Sequence, residues 1–205
     1  IGLPTETEAD LQEIIDIATA ARRIGRQEGA NAGRVQINVS IASFVPKAHT
    51  PFQWGGMNGR EELAAKHEFL RRNMPRKQIK LSLHDLEPGL VESAIARGRD
   101  ETAVAIEAAW RAGAGFDAWT EKFSFTAWET GFAAIGSSIE REATRVFPVD
   151  AELPWDDIDS RVSKEFLLEE KERADRGEVT LDCRRGPCEN CGVCEGDIEM
   201  RIAKP

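Results

Sequence analysis

Apolar and polar residues alternate at two places along this chain with the two-residue period of a strand buried on one face. The first is Val35-Gln36-Ile37-Asn38-Val39-Ser40-Ile41, and the second is carried by Ile79, Leu81 and Leu83. Ahead of the first strand the period is helical, with Leu11, Ile14, Ile15 and Ala18 on one face. Thr5 and Thr7 each stand three positions before an acidic residue, Glu8 and Asp10. The first pair has capping-box spacing, so the helix starts there and ends at Gly25 or Gly29. Residues 1–3 read as the end of a buried strand running into a turn at Pro4, and the strand's own beginning is expected outside the sequence. Strand, turn, helix and strand in this order predict a βαβ unit, hence a parallel sheet or barrel.

Downstream, residues 44–58 hold Pro46, Pro51, Gly55 and Gly56 without either period. A loop of that length in a compact protein is often functional. Asn58 and Glu61 are spaced to cap a helix running to about Asn73. Helices are predicted over 87–97 and over 101–112, the latter closed by Gly113. Phe116, Trp119 and Phe123 share one helical face, and Phe125, Trp128 and Phe132 share another. These stripes predict the core of a small helical domain, with a substrate pocket as the alternative. A turn at Leu153-Pro154-Trp155-Asp156 precedes a last helix over 163–176.

Composition narrows the class. A chain of 205 residues, 41% hydrophobic and 31% charged, is sufficient for one or two buried cores. Its apolar stretches are too short to cross a bilayer. The formal net charge of -9 argues against a general nucleic-acid binder, because phosphates would be repelled at long range. The local run Lys66, Arg71, Arg72, Arg76, Lys77 and Lys80 reads as the solvated face of a helix and its following turn.

All four cysteines lie near the C-terminal end, as Cys183-x4-Cys188-x2-Cys191-x2-Cys194. None stands elsewhere to cross-link a core, so a reducing, cytoplasmic setting is expected. Thiolates two residues apart can turn back onto one ion. Gly186, Pro187 and Gly192 supply the turns, and Arg184 and Arg185 would balance thiolate charge. The dense spacing favours iron–sulfur ligation over zinc, and both stay open.

Taken together, these segments resemble a known family. Gly2-Leu3-Pro4-Thr5-Glu6-Thr7 resembles the G-x-P-x-E-T turn after a late barrel strand of radical S-adenosylmethionine enzymes. The stretch Ser43-Phe44-Val45-Pro46-Lys47-Ala48-His49-Thr50-Pro51-Phe52-Gln53-Trp54 is similar to the segment after the next strand in the cobalamin-binding branch, although Ala48 stands where proline is expected. The likeness continues through His84-Asp85, Ala96-Arg97-Gly98, Ala109-Trp110, Phe116-Asp117-Ala118-Trp119, Leu153-Pro154-Trp155-Asp156-Asp157-Ile158-Asp159 and Cys188 to Cys194.

The resemblance implies an α/β fold. Residues 1–85 would be the C-terminal part of the barrel, 86–176 a helical extension, and 177–205 a cysteine-rich metal-binding tail. It implies a 4Fe–4S cluster on a CxxxCxxC loop that cleaves S-adenosylmethionine to a 5′-deoxyadenosyl radical, and a cobalamin domain. Neither the loop nor that domain is among these residues, so the N-terminal part of the same polypeptide is the expected partner. The chain is not expected to be active alone. Radical C–H chemistry, methylation among its forms, is the implied reaction, with the cofactors carrying the hard step. Gly2, Pro4, Glu6, Ser43, Phe44 and Val45 follow strand ends and are the expected cofactor contacts. His49 is a candidate acid or base. Cys183, Cys188, Cys191 and Cys194 are the expected ligands of an auxiliary cluster or of a structural clip. The rival expectation is a non-catalytic helical binding module with a structural zinc site.

Overall fold

The computed structural model describes residues 1–28, 35–183, 186 and 188–194. The chain forms two compact units. One comprises Ile1–Val45 and Met57–Arg145, the other Pro46–Gly56 and Val146–Pro205. The divisions read from the sequence, after residues 85 and 176, do not coincide with these boundaries.

In the first unit, helix α1 (Glu8–Glu28) leads to strand β1 (Ile37–Ile41), helix α2 (Arg60–Asn73) and strand β2 (Ile79–Leu83). The strands pair in parallel, with Ile37 opposite Ile79 and Ile41 opposite Leu83. Ile1 adds the two bonds of a further parallel bridge: its amino group donates to the Ala42 carbonyl at 2.9 Å, and Phe44 N–H donates to its carbonyl at 2.7 Å. Odd positions of both strands face α1 and α2, and Leu11, Ile15, Ala18, Ile41, Leu70, Met74 and Ile79 close that core. Alternation therefore did its work, because period two places every second side chain on the covered face.

Two capping expectations differ in detail. The start of α1 is secured by the second threonine pair: the Thr7 N–H and hydroxyl both donate to Asp10 Oδ2, at 2.6 and 2.7 Å. Asn58 does not cap α2. The residue there is Gly59, and Asn58 Oδ1 instead accepts from Lys66 at 3.0 Å.

Helices α3 (Leu86–Ala96), α4 (Thr102–Arg111), α5 (Phe125–Ala134) and the short α6 (Ile139–Ala143) complete the first unit. Leu63, Leu90, Ala94, Ala105, Ala109, Trp128 and Phe132 form their shared core. Burying a side chain such as Leu90 or Phe132 stabilises by about 1.5–3 kcal/mol. Of the aromatic stripes, Trp128 and Phe132 are buried as expected. Residues 116–123 form turns rather than a helix, and Phe116 and Trp119 are exposed. Gly113 and Gly115 both precede that segment and break the helical run before the stripe begins.

The second unit has its own core of Trp54, Phe147, Leu153, Trp155 and Leu167. Phe147 N–H donates to the Trp54 carbonyl at 2.9 Å, and the Phe147 and Trp155 rings meet edge to face at 5.8 Å. Helix α7 (Lys164–Asp175) is capped by Ser163, whose hydroxyl accepts from Phe166 N–H at 3.1 Å. Among the described residues no helix is long and apolar enough to cross a membrane.

Candidate functional site

Parallel strands deliver their C-terminal ends to one side, and in α/β folds that side gathers ligand-binding loops. Here β1 ends into Ala42, Ser43 and Val45, and β2 ends into His84 and Asp85. A cavity of about 760 Å³ opens between these ends and the 117–123 turns. Asp85, Glu87, Glu92 and Asp117 line it together with His84, and among the described residues no Lys or Arg does, although Arg60 Nη1 reaches Glu87 Oε1 at 2.9 Å. Val45 and Phe123 supply an apolar wall.

Two polar atoms mark this cavity. Ser43 Oγ and Asp117 Oδ1 are buried with no hydrogen-bond partner among the described residues. A buried polar atom left without a partner costs about 1–3 kcal/mol. Such atoms beside a cavity are where a ligand's polar groups belong. At the rim, His84 Nε2 lies 3.0 Å from Ser40 Oγ, and His84 N–H donates to the Ile41 carbonyl, continuing the strand ladder. The arrangement is acidic with one apolar side, and suits a ligand carrying positive charge, hydroxyls and a flat ring.

The expected cofactor residues divide. Ser43 and Val45 line the cavity, whereas Phe44 contributes its N–H to the bridge with Ile1. Gly2, Pro4 and Glu6 are not among the lining residues. Glu6 Oε1 accepts from Gly2 N–H at 2.9 Å and from Lys66 Nζ at 2.7 Å, with only 6% of its side chain exposed. Its carboxylate fixes the 2–6 turn to α2. Asp117 was not singled out from the sequence. The signal available was one carboxylate inside the aromatic run Phe116-Asp117-Ala118-Trp119.

His49 belongs to the second unit. It holds φ +54, and its N–H donates to Gln53 Oε1 at 3.1 Å, while its Nε2 is buried without a hydrogen-bond partner among the described residues. Gln53 Oε1 also accepts from Trp155 Nε1 at 2.7 Å. His49, Asp156, Asp159 and Lys164 line a smaller cavity of about 390 Å³. Burial pushes the Asp156 carboxyl up. Hydrogen bonds from Leu153 N–H and Lys164, with the charges of Lys164 and His49, outweigh it and hold the group below its ordinary value.

Among the described residues no cysteine is in a disulfide. Cys183, Cys188 and Cys194 are exposed and Cys191 is half-buried. Among the described residues no group of three or more His, Cys, Asp or Glu side chains is close enough to hold an ion. Two backbone donors meet the Cys188–Cys191 segment. Asn190 N–H donates to Cys188 Sγ at 3.4 Å, and the Cys191 carbonyl accepts from Ser163 N–H at 2.9 Å. Arg184, Arg185 and Pro187, expected to balance charge and turn the chain, lie outside the described residues. Comparison with protein-family models, with curated proteins and with solved structures finds no match for this chain.

Proposed function

We propose that this chain forms the strand-end pocket and C-terminal extension of a radical S-adenosylmethionine enzyme of the cobalamin-binding branch. The observation that carries the reading is the acidic cavity at the ends of β1 and β2, with Ser43 Oγ and Asp117 Oδ1 unpartnered beside it. The donor set suits S-adenosylmethionine. Asp85, Glu92 and Asp117 favour its sulfonium and ammonium charges, while Glu87 is paired with Arg60 at 2.9 Å; Ser43 can bond a ribose hydroxyl, and Phe123 and Val45 offer an apolar wall to adenine.

S-adenosylmethionine supplies a reactive C–S bond when bound. The residues of this chain bind it, orient it and neutralise its positive charge. The 4Fe–4S loop and cobalamin are held, on this reading, by the N-terminal part of the same polypeptide in a reducing, cytoplasmic setting.

The test uses the full reading frame. It is expected to encode a CxxxCxxC loop and, after anaerobic loading with iron and sulfide, to release 5′-deoxyadenosine from S-adenosylmethionine. Ser43→Ala and Asp117→Asn should each raise KM for S-adenosylmethionine by about tenfold, the value of one lost buried hydrogen bond. A frame without the loop, or cleavage indifferent to both substitutions, overturns the reading.

A further inference from the structure

We infer that the cavity walled by α3, α5, α6 and the start of α2 binds a free α-amino acid with an apolar side chain, Arg60 taking its carboxylate and Glu129 its ammonium. This goes beyond the strand-end pocket and does not rest on the S-adenosylmethionine reading.

The cavity measures about 900 Å³, within the range of small-molecule sites, and its lining residues all belong to the first unit. It adjoins the strand-end cavity, since Glu87 and Phe123 line both. Among the described residues that line it, Arg60 is the one with a positive charge.

Three contacts place Arg60, the first residue of α2. Its backbone N–H donates to Glu140 Oε1 at 3.0 Å, and its Nη1 donates to Glu87 Oε1 at 2.9 Å. Its guanidinium lies over the Phe125 ring, 4.6 Å from the centroid. Stacking on an aromatic face and one charged bond hold the planar group in place before any ligand enters. Glu87 meets the fork at Nη1, whereas Nε and Nη2 form the edge that pairs side-on with a carboxylate through two parallel bonds. The side chain is 40% exposed, so a ligand in the cavity can reach it.

The remaining charges on the wall are acidic. Glu129 stands four residues after Phe125 on α5, about 6 Å along the helix axis, and is exposed. An anion alone would meet Glu129 and Glu140 as like charges. A cation alone would leave the Arg60 edge without its acceptor. A carboxylate and an ammonium on one carbon answer both, and a single helical turn between the two protein groups suits that short spacing. Phe123, Phe125 and Ala133 give the apolar part of the wall, where the ligand's side chain packs.

The experiment titrates the full chain calorimetrically, at low ionic strength, with L-phenylalanine and L-leucine as probes. At least one is expected to bind one to one, with Kd of about 1 mM or below. For the probe that binds, the analogue without the ammonium (3-phenylpropionate or 4-methylpentanoate) should bind about tenfold or more weakly. So should the analogue without the carboxylate (2-phenylethylamine or 3-methylbutylamine). Arg60→Lys, which keeps the charge and loses the fork, should weaken the amino acid by about tenfold. Glu129→Gln should weaken the amino acid by a similar factor and leave the analogue without the ammonium no weaker than before. Neither amino acid binding, an amine or a carboxylate alone binding as tightly, or unchanged affinity in both variants overturns the site. If a variant does not fold, the analogue series on the unsubstituted chain decides. None of these readouts uses S-adenosylmethionine cleavage, so failure here leaves the strand-end reading standing, and failure of that reading leaves this site testable.

Discussion

Glu140 Oε1 accepts the backbone N–H of Arg60 at 3.0 Å, so a carboxylate eighty residues downstream caps helix α2. The local N-cap, Gly59, has no side chain to do so, and a Cβ there would stand 2.8 Å from the same Oε1. A cap with negative charge at a helix N-terminus contributes about 1 kcal/mol. Glu140→Ala should therefore lower the thermal midpoint of the first unit by a few degrees. Adding Gly59→Ser should recover part of the loss, because serine then supplies the missing acceptor. Calorimetry of the two variants decides, and a midpoint unmoved in Glu140→Ala would show the cap to be idle.

His67, on α2, is 4% exposed, and its Nε2 has no hydrogen-bond partner among the described residues. Burial foremost, then Arg71 and the terminal amine, hold its pKa below the ordinary 6.5, with Asp85 opposing. The unfolded chain takes up a proton that the folded chain refuses in this window. Stability is thus full above pH 6.5 and falls as pH drops through the folded value, by at most about 1.4 kcal/mol per pH unit. The carboxylates held low, such as Asp156, act only at more acid pH. Urea midpoints taken between about pH 7.5 and 5 should decline, and the decline should flatten in His67→Gln. An equal decline in that variant would assign it to other groups.

Gly131 of α5 faces α4 so closely that a Cβ would stand 2.4 Å from the Ala105 carbonyl oxygen and 2.8 Å from Ala109 Cβ. Alanine gains about 1 kcal/mol in helix propensity. Forcing two packed helices apart costs about 1–3 kcal/mol, so the clash wins. Gly131→Ala should destabilise, measured by denaturant unfolding. Gly115→Ala, with open space around it, should be neutral or stabilising by under about 1 kcal/mol.

In the second unit, Gln53 Oε1 accepts the buried Trp155 Nε1–H at 2.7 Å. Gln53→Met leaves that donor unpaired at a cost of about 1–3 kcal/mol. Trp155→Phe removes the donor itself, so adding Gln53→Met to it should cost less than in the native background. A double-mutant cycle with additive losses would mean the bond contributes nothing.

Elements whose cause is local were legible from residue order. β2 runs Ile79–Leu83 as its alternation required, α7 begins after Ser163, and α3 and α4 fall within a residue of their expected ends. The Thr7–Asp10 pair shows the limit of local spacing. Two threonines offered the same interval, and the helix begins at Glu8, directly after the second. The candidate site was half legible. Ser43 and Val45 follow from the strand end, whereas Asp117 reaches the cavity through turns that no periodicity describes.

The amino-acid sequence by itself determined the parallel strands, the succession of helices and the grouping of four thiols, because alternation, helical spacing and residue intervals act over a few positions. Only the tertiary structure decided that Glu140 caps α2, that Glu6 is consumed by Gly2 and Lys66, and that residues 46–56 join the C-terminal unit. It alone brought the Cys191 carbonyl to the Ser163 N–H. Those outcomes depend on groups far apart in the chain competing for the same donors and the same space, and such competition is resolved only when the chain is packed.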